Sequence, residues 1–167
     1  MTPSERRYLF VQTPIASGVV NAIVNGAIGW GITRGLAEFP VWRLPGVAFD
    51  LVATVFGVAL GTCVGSAVQA HLDLRAGRIA VPRDLPPRLE RAVRRLPRGA
   101  LRRGFVVGIA VTLLLCPFLL LGLGIAGEGG LPVPTFVGLK ALLSGAEGAL
   151  VSPLLVLCAL REARPEP

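Results

Sequence analysis

Glu147 and Lys140 stand out first, because both sit inside the last long apolar block of the sequence. Lys140 is the only lysine in the chain. The two are seven residues apart, two helical turns, so they share one face with Ser144 between them. An ionised carboxylate near the centre of a bilayer costs roughly 2.5–3.5 kcal/mol on insertion scales. Glu147 must therefore be paired, protonated or open to water, and a protonated carboxyl there could couple a proton to a transport step. A direct Lys140–Glu147 pair along the helix is disfavoured, because side chains lean toward the helix N-terminus and carry Lys140 outward.

Depth within the apolar blocks points to other partners. Lys140 lies level with Asp50, and Glu147 level with Asn21. Asn21 and Asn25 stack at i, i+4 with Ser17 on the same face. Two polar layers follow as the expectation. A central layer of Glu147, Asn21, Asn25 and Ser144 would form a substrate or proton site. An outer layer would pair Lys140 with Asp50, with Thr54 beside them. The bland alternative is structural glue, since interhelical hydrogen bonds in membranes average about 0.6 kcal/mol. Asp50 and Lys140 could also snorkel to the outer interface. His71, at the inner end of its block, is expected to be interfacial.

Several chemistries lack their signatures. There is no His-Glu-x-x-His, no metal-spaced Cys/His cluster, no P-loop and no G-x-S-x-G. One histidine leaves little for a Ser-His or Cys-His nucleophile. Cys63, Cys116 and Cys158 each fall within an apolar block and read as small core residues. No cofactor and no metal site is expected, and an enzyme is the weaker expectation.

The elements that must position these residues are long and apolar. The chain has 167 residues, is 53% hydrophobic and only 16% charged, and the charges gather between apolar blocks. A bilayer-spanning helix needs about 20 mostly apolar residues. Four blocks qualify, near residues 9–32, 47–71, 104–126 and 134–160, so an all-α four-helix membrane bundle is expected, as a single domain over the whole chain. Tyr8 and Trp30 flank the first block as interface aromatics. Ser4-Glu5-Arg6-Arg7-Tyr8-Leu9-Phe10 has some look of a twin-arginine export signal. Asn21 and Asn25 interrupt its apolar region and no A-x-A cleavage site follows, so a retained helix is expected. Pro117 and Pro153 lie inside blocks three and four, where kinks are expected rather than ends.

Orientation comes from arginine. The net charge is +7, and residues 72–103 carry ten arginines, Arg75 through Arg103, against Asp73, Asp84 and Glu90. The positive-inside rule puts this loop in the cytoplasm, and four spans then put both termini there, in agreement with Arg6, Arg7, Arg161 and Arg164. The third loop has Glu128 as its only charge; Arg34 and Arg43 in the first dissent mildly. Usage rich in Arg, Ala, Gly and Pro is what a GC-rich bacterial genome produces, so a bacterial inner membrane is the expected location. Within the basic loop, Leu85, Leu89, Val93 and Leu96 recur at roughly helical spacing, with Pro87 placed to open a helix and Pro97 to end it. This predicts a short amphipathic helix on the cytoplasmic leaflet, with Arg88, Arg91, Arg94 and Arg95 on anionic headgroups at about 1 kcal/mol each. Docking of a cytoplasmic partner or nucleic acid is the lesser alternative, and no nucleic acid is expected.

Small residues should join the helices, because lipid gives little hydrophobic drive between them. Ala53, Gly57, Gly61 and Gly65 form a stripe on the second block. Gly18, Ala22 and Gly26, then Ala141, Gly145 and Ala149 with Gly148, then Gly104 and Gly108 repeat the pattern elsewhere. The leading expectation is a small transporter or permease-like homodimer. The alternative is a scaffold or accessory subunit of a larger membrane complex, and the least favoured is a membrane-embedded lipid enzyme. A cavity reaching Glu147 would favour transport; a packed Glu147 touching Asn21 would favour structure.

Overall fold

The computed structural model describes residues 1–80, 87–127 and 129–163. Arg83, Asp84, Leu85, Glu128 and Arg164 lie outside the described residues. The four apolar blocks each form one helix: α1 (Pro3–Thr33), α2 (Val47–Arg75), α4 (Ala100–Ala126) and α5 (Val133–Glu162). A short α3 (Pro87–Arg95) precedes α4. All four long helices are long and apolar enough to cross a membrane, which marks the chain as a membrane protein. They outrun the apolar blocks by up to a turn or more, because a helix can continue into polar residues once it leaves the hydrocarbon. Gln69, His71 and Asp73 extend α2, and Arg102 and Arg103 open α4.

The helices pack in the order α1, α5, α2, α4, with α5 between α1 and α2, which touch each other only sparsely. Close approach decides this order. A Cβ on Gly145 would lie 3.1 Å from the Gly18 carbonyl oxygen and from Ala22 Cβ, so α1 and α5 meet almost backbone to backbone. On the other side, a Cβ on Gly108 would lie 2.9 Å from the Phe56 ring, and one on Gly104 would lie 2.8 Å from Leu60. The small-residue stripe of α2 takes no part in this joining within the chain. Ala53, Gly57, Gly61 and Gly65 are exposed, and a Cβ on any of the three glycines would meet nothing within 4 Å. Small residues permit close packing but do not say which helix face receives a neighbour.

Apolar cores close the two ends. At the arginine-rich end, Leu9, Ala70, Val93 and Val156–Leu160 cluster. At the other, Phe39, Val47, Leu51, Leu123 and Phe136 do so. That second end also carries a two-stranded antiparallel sheet, β1 (Glu38–Pro40) with β2 (Gly130–Pro132), in the register Phe39 to Leu131. Strands of three residues, each ending on proline, leave no periodic signal in a sequence. Phe39 packs on Phe136 with ring centroids 4.9 Å apart, so the sheet caps the bundle. Between the two cores, buried polar residues stand among apolar ones: Thr54, Thr62, Ser144, Glu147 and Ser152 beside Val55, Val58 and Ala59.

Both internal prolines sit within continuous helix. Pro153 removes the N–H that would bond the Ala149 carbonyl, and Ser152 Oγ donates to that carbonyl at 3.3 Å.

Candidate functional site

The structure brings Lys140 and Asp50 together. Lys140 Nζ donates to both Asp50 carboxylate oxygens at 2.7 Å, and the lysine is 2% exposed. Its stem crosses α1 where Gly29 has no side chain; a Cβ there would stand 3.1 Å from Lys140 Cδ. The ammonium also lies 5.8 Å from the Phe136 ring centroid. Thr54 Oγ1 stands 3.5 Å from Asp50 Oδ2, a weak contact at best. Lys140 therefore does not snorkel: a complete charge pair, with the aromatic cap over it, holds α5 to α2.

The central layer divides. Asn21 Nδ2 donates to Ser17 O at 2.9 Å and to Thr62 Oγ1 at 3.1 Å, bridging α1 to α2. Asn25 Nδ2 donates to the Asn21 carbonyl at 3.0 Å. Ser144 Oγ lies 2.8 Å from the Lys140 carbonyl and 3.2 Å from that of Asn21. Glu147 joins none of them. It is 3% exposed, and neither carboxylate oxygen has a hydrogen-bond partner among the described residues. The expected contact between Glu147 and Asn21 is thus corrected. Asn21 packs against the next residue, Gly148, whose missing side chain makes the room. Successive helix residues turn by about 100°, so Glu147 points away from α1. It stands on the face of α5 that carries Lys140, two turns away.

A cleft of about 580 Å³ opens where α1 and α2 diverge. Asn21, Ser17, Gly61 and Thr62 line its deep end, and Tyr8, Asp73 and Arg78 its mouth. Gln12, Thr13, Gly65, Ser66 and Gln69 lie between them. Glu147 is not among its lining residues. Tyr8 to Gln12 adopt a π-helical turn, a distortion often found beside functional sites, and both residues face the cleft. At the mouth, Asp73 is 3% exposed and fully satisfied. It accepts from Tyr8 Oη at 2.6 Å, Gln69 Nε2 at 2.8 Å and Arg78 Nη1 at 3.3 Å.

Sequence reasoning assigned Asp73 and Arg78 to a loop and passed over Gln12, Thr13, Ser66 and Gln69. A signal was present. Thr62, Ser66, Gln69 and Asp73 recur at i, i+4, i+7, i+11, a polar stripe running down α2. Arg103 was also missed. It is 1% exposed, donates from Nη2 to Glu162 Oε2 at 2.9 Å, and lies against the thiols of Cys63 and Cys158. Gly99 N donates to Glu162 Oε1 at 2.9 Å, so this carboxylate fastens the start of α4.

The arginines of α3 are exposed. Arg94 pairs with Glu90 at 2.6 Å, and Arg91 Nε donates to the Pro87 carbonyl at 3.3 Å. Val93 is buried in the core at the end of α5, with Leu89 and Leu96 packed beside it, so the apolar edge of α3 is spent on the bundle. All three cysteines are free and buried. Among the described residues, no group of three or more His, Cys, Asp or Glu side chains is placed to hold a metal ion.

Compared with known proteins, the chain matches no protein-family model, and no curated protein or solved structure is similar to it.

Proposed function

We propose that this chain is a small permease-like protein of a bacterial inner membrane that takes a small polar solute into the cleft between α1 and α2. One observation carries the proposal: a cleft with hydroxyl and amide groups set among apolar ones runs from the arginine-rich end to Asn21, between two membrane-length helices. From Tyr8 to Asn21 the cleft follows about 20 Å of helix, most of the way to the centre of a 30 Å hydrocarbon layer. Hydroxyl and amide groups line it beside Ala16, Val20 and Val156, and its carboxylate, Asp73, is already satisfied, in part by Arg78. The fitting solute is therefore neutral or zwitterionic.

Arginine density at that end of the cleft supports a cytoplasmic placement for it and for both termini. Arg88, Arg91, Arg94 and Arg95 then face anionic headgroups, as exposed arginines beside a membrane do. Four helices make a thin wall, and the exposed Ala53–Gly57–Gly61–Gly65 stripe is the surface through which a second copy would complete it.

The test is access. With the three native cysteines replaced, Ser66→Cys is treated with a small membrane-impermeant thiol reagent in vesicles of both orientations. Labelling from the cytoplasmic face alone is expected, together with protection by any solute whose flux the protein raises in liposomes. Absence of labelling from either side would end the proposal. The same glycine stripe favours a second possibility, a scaffold subunit. In that case Gly57→Leu should disrupt assembly, with no solute-specific effect from Asn21→Leu.

A further inference from the structure

The cleft between α1 and α2 has a back and two ends but no front among the described residues. Behind it stands α5, which packs on both helices and contributes Val156 to the lining. At its ends, Tyr8 Oη donates to Asp73 at 2.6 Å and Asn21 Nδ2 donates to Thr62 Oγ1 at 3.1 Å, each bond crossing from α1 to α2. Otherwise these two helices touch only sparsely. On the open side, Ala16 and Val20 of α1 and Gly61 and Gly65 of α2 line the cleft and are exposed. A Cβ on either glycine would meet nothing within 4 Å.

Val20 lies about 18 Å inward of Tyr8 along α1, so the open side is bounded by acyl chains rather than by water. The cleft's length of about 20 Å is half of a membrane roughly 40–45 Å thick with its headgroups, which is one leaflet. A water molecule takes up roughly 30 Å³ in the liquid, so about 580 Å³ holds about 20 heavy atoms. That is room for one acyl chain and not for two. Polarity is graded along the same line. At the mouth, the exposed Arg78 gives Nη1 to Asp73 at 3.3 Å and keeps further N–H donors for a phosphate. Arg78 and Asp73 together carry no net charge, so a zwitterionic head leaves nothing unbalanced there. At the deep end, Asn21 spends its amide on Ser17 and Thr62.

We infer that the cleft takes a single-chained zwitterionic amphiphile, which enters sideways from the cytoplasmic leaflet through the gap beside Gly61 and Gly65. Its head rests at Arg78, and its chain runs along Ala16, Val20 and Gly61 toward Asn21. Such an amphiphile is the solute of the permease proposed for this chain, and its role as cargo rests on that reading. Ala53 and Gly57 lie outward of the cleft and are not among its lining residues, so that half of the glycine stripe stays available to a second copy.

Two probes test this in vesicles of two-chained phosphatidylcholine. Lysophosphatidylcholine carries one chain on a zwitterionic head, and glycerophosphocholine is the same head without a chain. The readout is cytoplasmic-face labelling of Ser66→Cys in the full chain with its native cysteines replaced. Lysophosphatidylcholine should slow labelling about tenfold, as a site about nine-tenths occupied would. Glycerophosphocholine should leave the rate unchanged. Gly61→Leu puts a bulky side chain in the path of the acyl chain, and should abolish protection without changing the unprotected rate. Gly57→Leu, outside the cleft, should keep it. An unchanged rate with lysophosphatidylcholine overturns the inference. So does equal protection by glycerophosphocholine, because the ligand would then be a water-borne polar solute. Protection that survives Gly61→Leu, or that Gly57→Leu also removes, overturns it too, because the effect would then arise outside the cleft. In all these cases the thiol still labels without added amphiphile, and the transport proposal stands. A thiol that never labels ends both.

Discussion

Lys140 and Glu147 occupy the same helix two turns apart, both almost wholly buried, yet the fold provides for only one of them. Lys140 has a carboxylate at 2.7 Å on two oxygens, an aromatic ring over its ammonium and a glycine that yields space to its stem. Glu147 has no hydrogen-bond partner among the described residues. The cleft resembles the lysine: every polar side chain at its mouth and its deep end is engaged, from Tyr8 and Asp73 to Asn21 and Thr62. A satisfied polar group fixes helices in place. An orphaned one is tolerated only where its charge can be removed, and that makes it sensitive to protons rather than to packing.

The largest effect should come from breaking the satisfied pair. Lys140→Met leaves Asp50, half-buried, without its cation and should cost about 3 kcal/mol. Unfolding in detergent measures this, and adding Asp50→Asn should recover most of the loss. Next is the α1–α5 contact. Gly148→Ala drives a methyl into the Asn21 side chain and should cost about 1–3 kcal/mol, while Gly57→Ala, facing nothing, should stay within about 0.5 kcal/mol. Comparing the two variants in one denaturation series sharpens the difference between a packed and an open glycine. Thr62→Val, which removes one bond to Asn21, should cost about 0.6 kcal/mol. Smallest of all is Glu147→Gln, expected to shift stability by less than about 0.5 kcal/mol, because a neutral amide replaces a neutral acid. A loss as large as that of Lys140→Met would erase the contrast and show Glu147 to be charged and paired.

Depth along a helix was legible in the sequence, and direction around it was not. Counting residues from the block ends put Asp50 level with Lys140 and Asn21 level with the Glu147 turn. Asn21 does pack at that level, but against Gly148, one residue and about 100° away. In a soluble helix the apolar stripe would have given the azimuth. Here residues facing lipid, such as Leu113 and Leu150, are as apolar as those facing the core, such as Val55 and Leu155, so hydrophobicity marks no face. The glycine stripe of α2 was ambiguous for the same reason: smallness says a neighbour can approach, and only the tertiary arrangement says that none within this chain does.

What the sequence determined by itself was the number and span of the four long helices, because twenty consecutive apolar residues leave a chain few alternatives. It also determined which polar residues lie deep, since depth is a linear count. The packing order of α1, α5, α2 and α4, the cleft between α1 and α2, the burial of Arg103 on Glu162 and the isolation of Glu147 were decided only in three dimensions. Each depends on which small residue of one helix meets which bulky or polar group of another. That matching is a property of pairs of surfaces, and no single stretch of chain contains it.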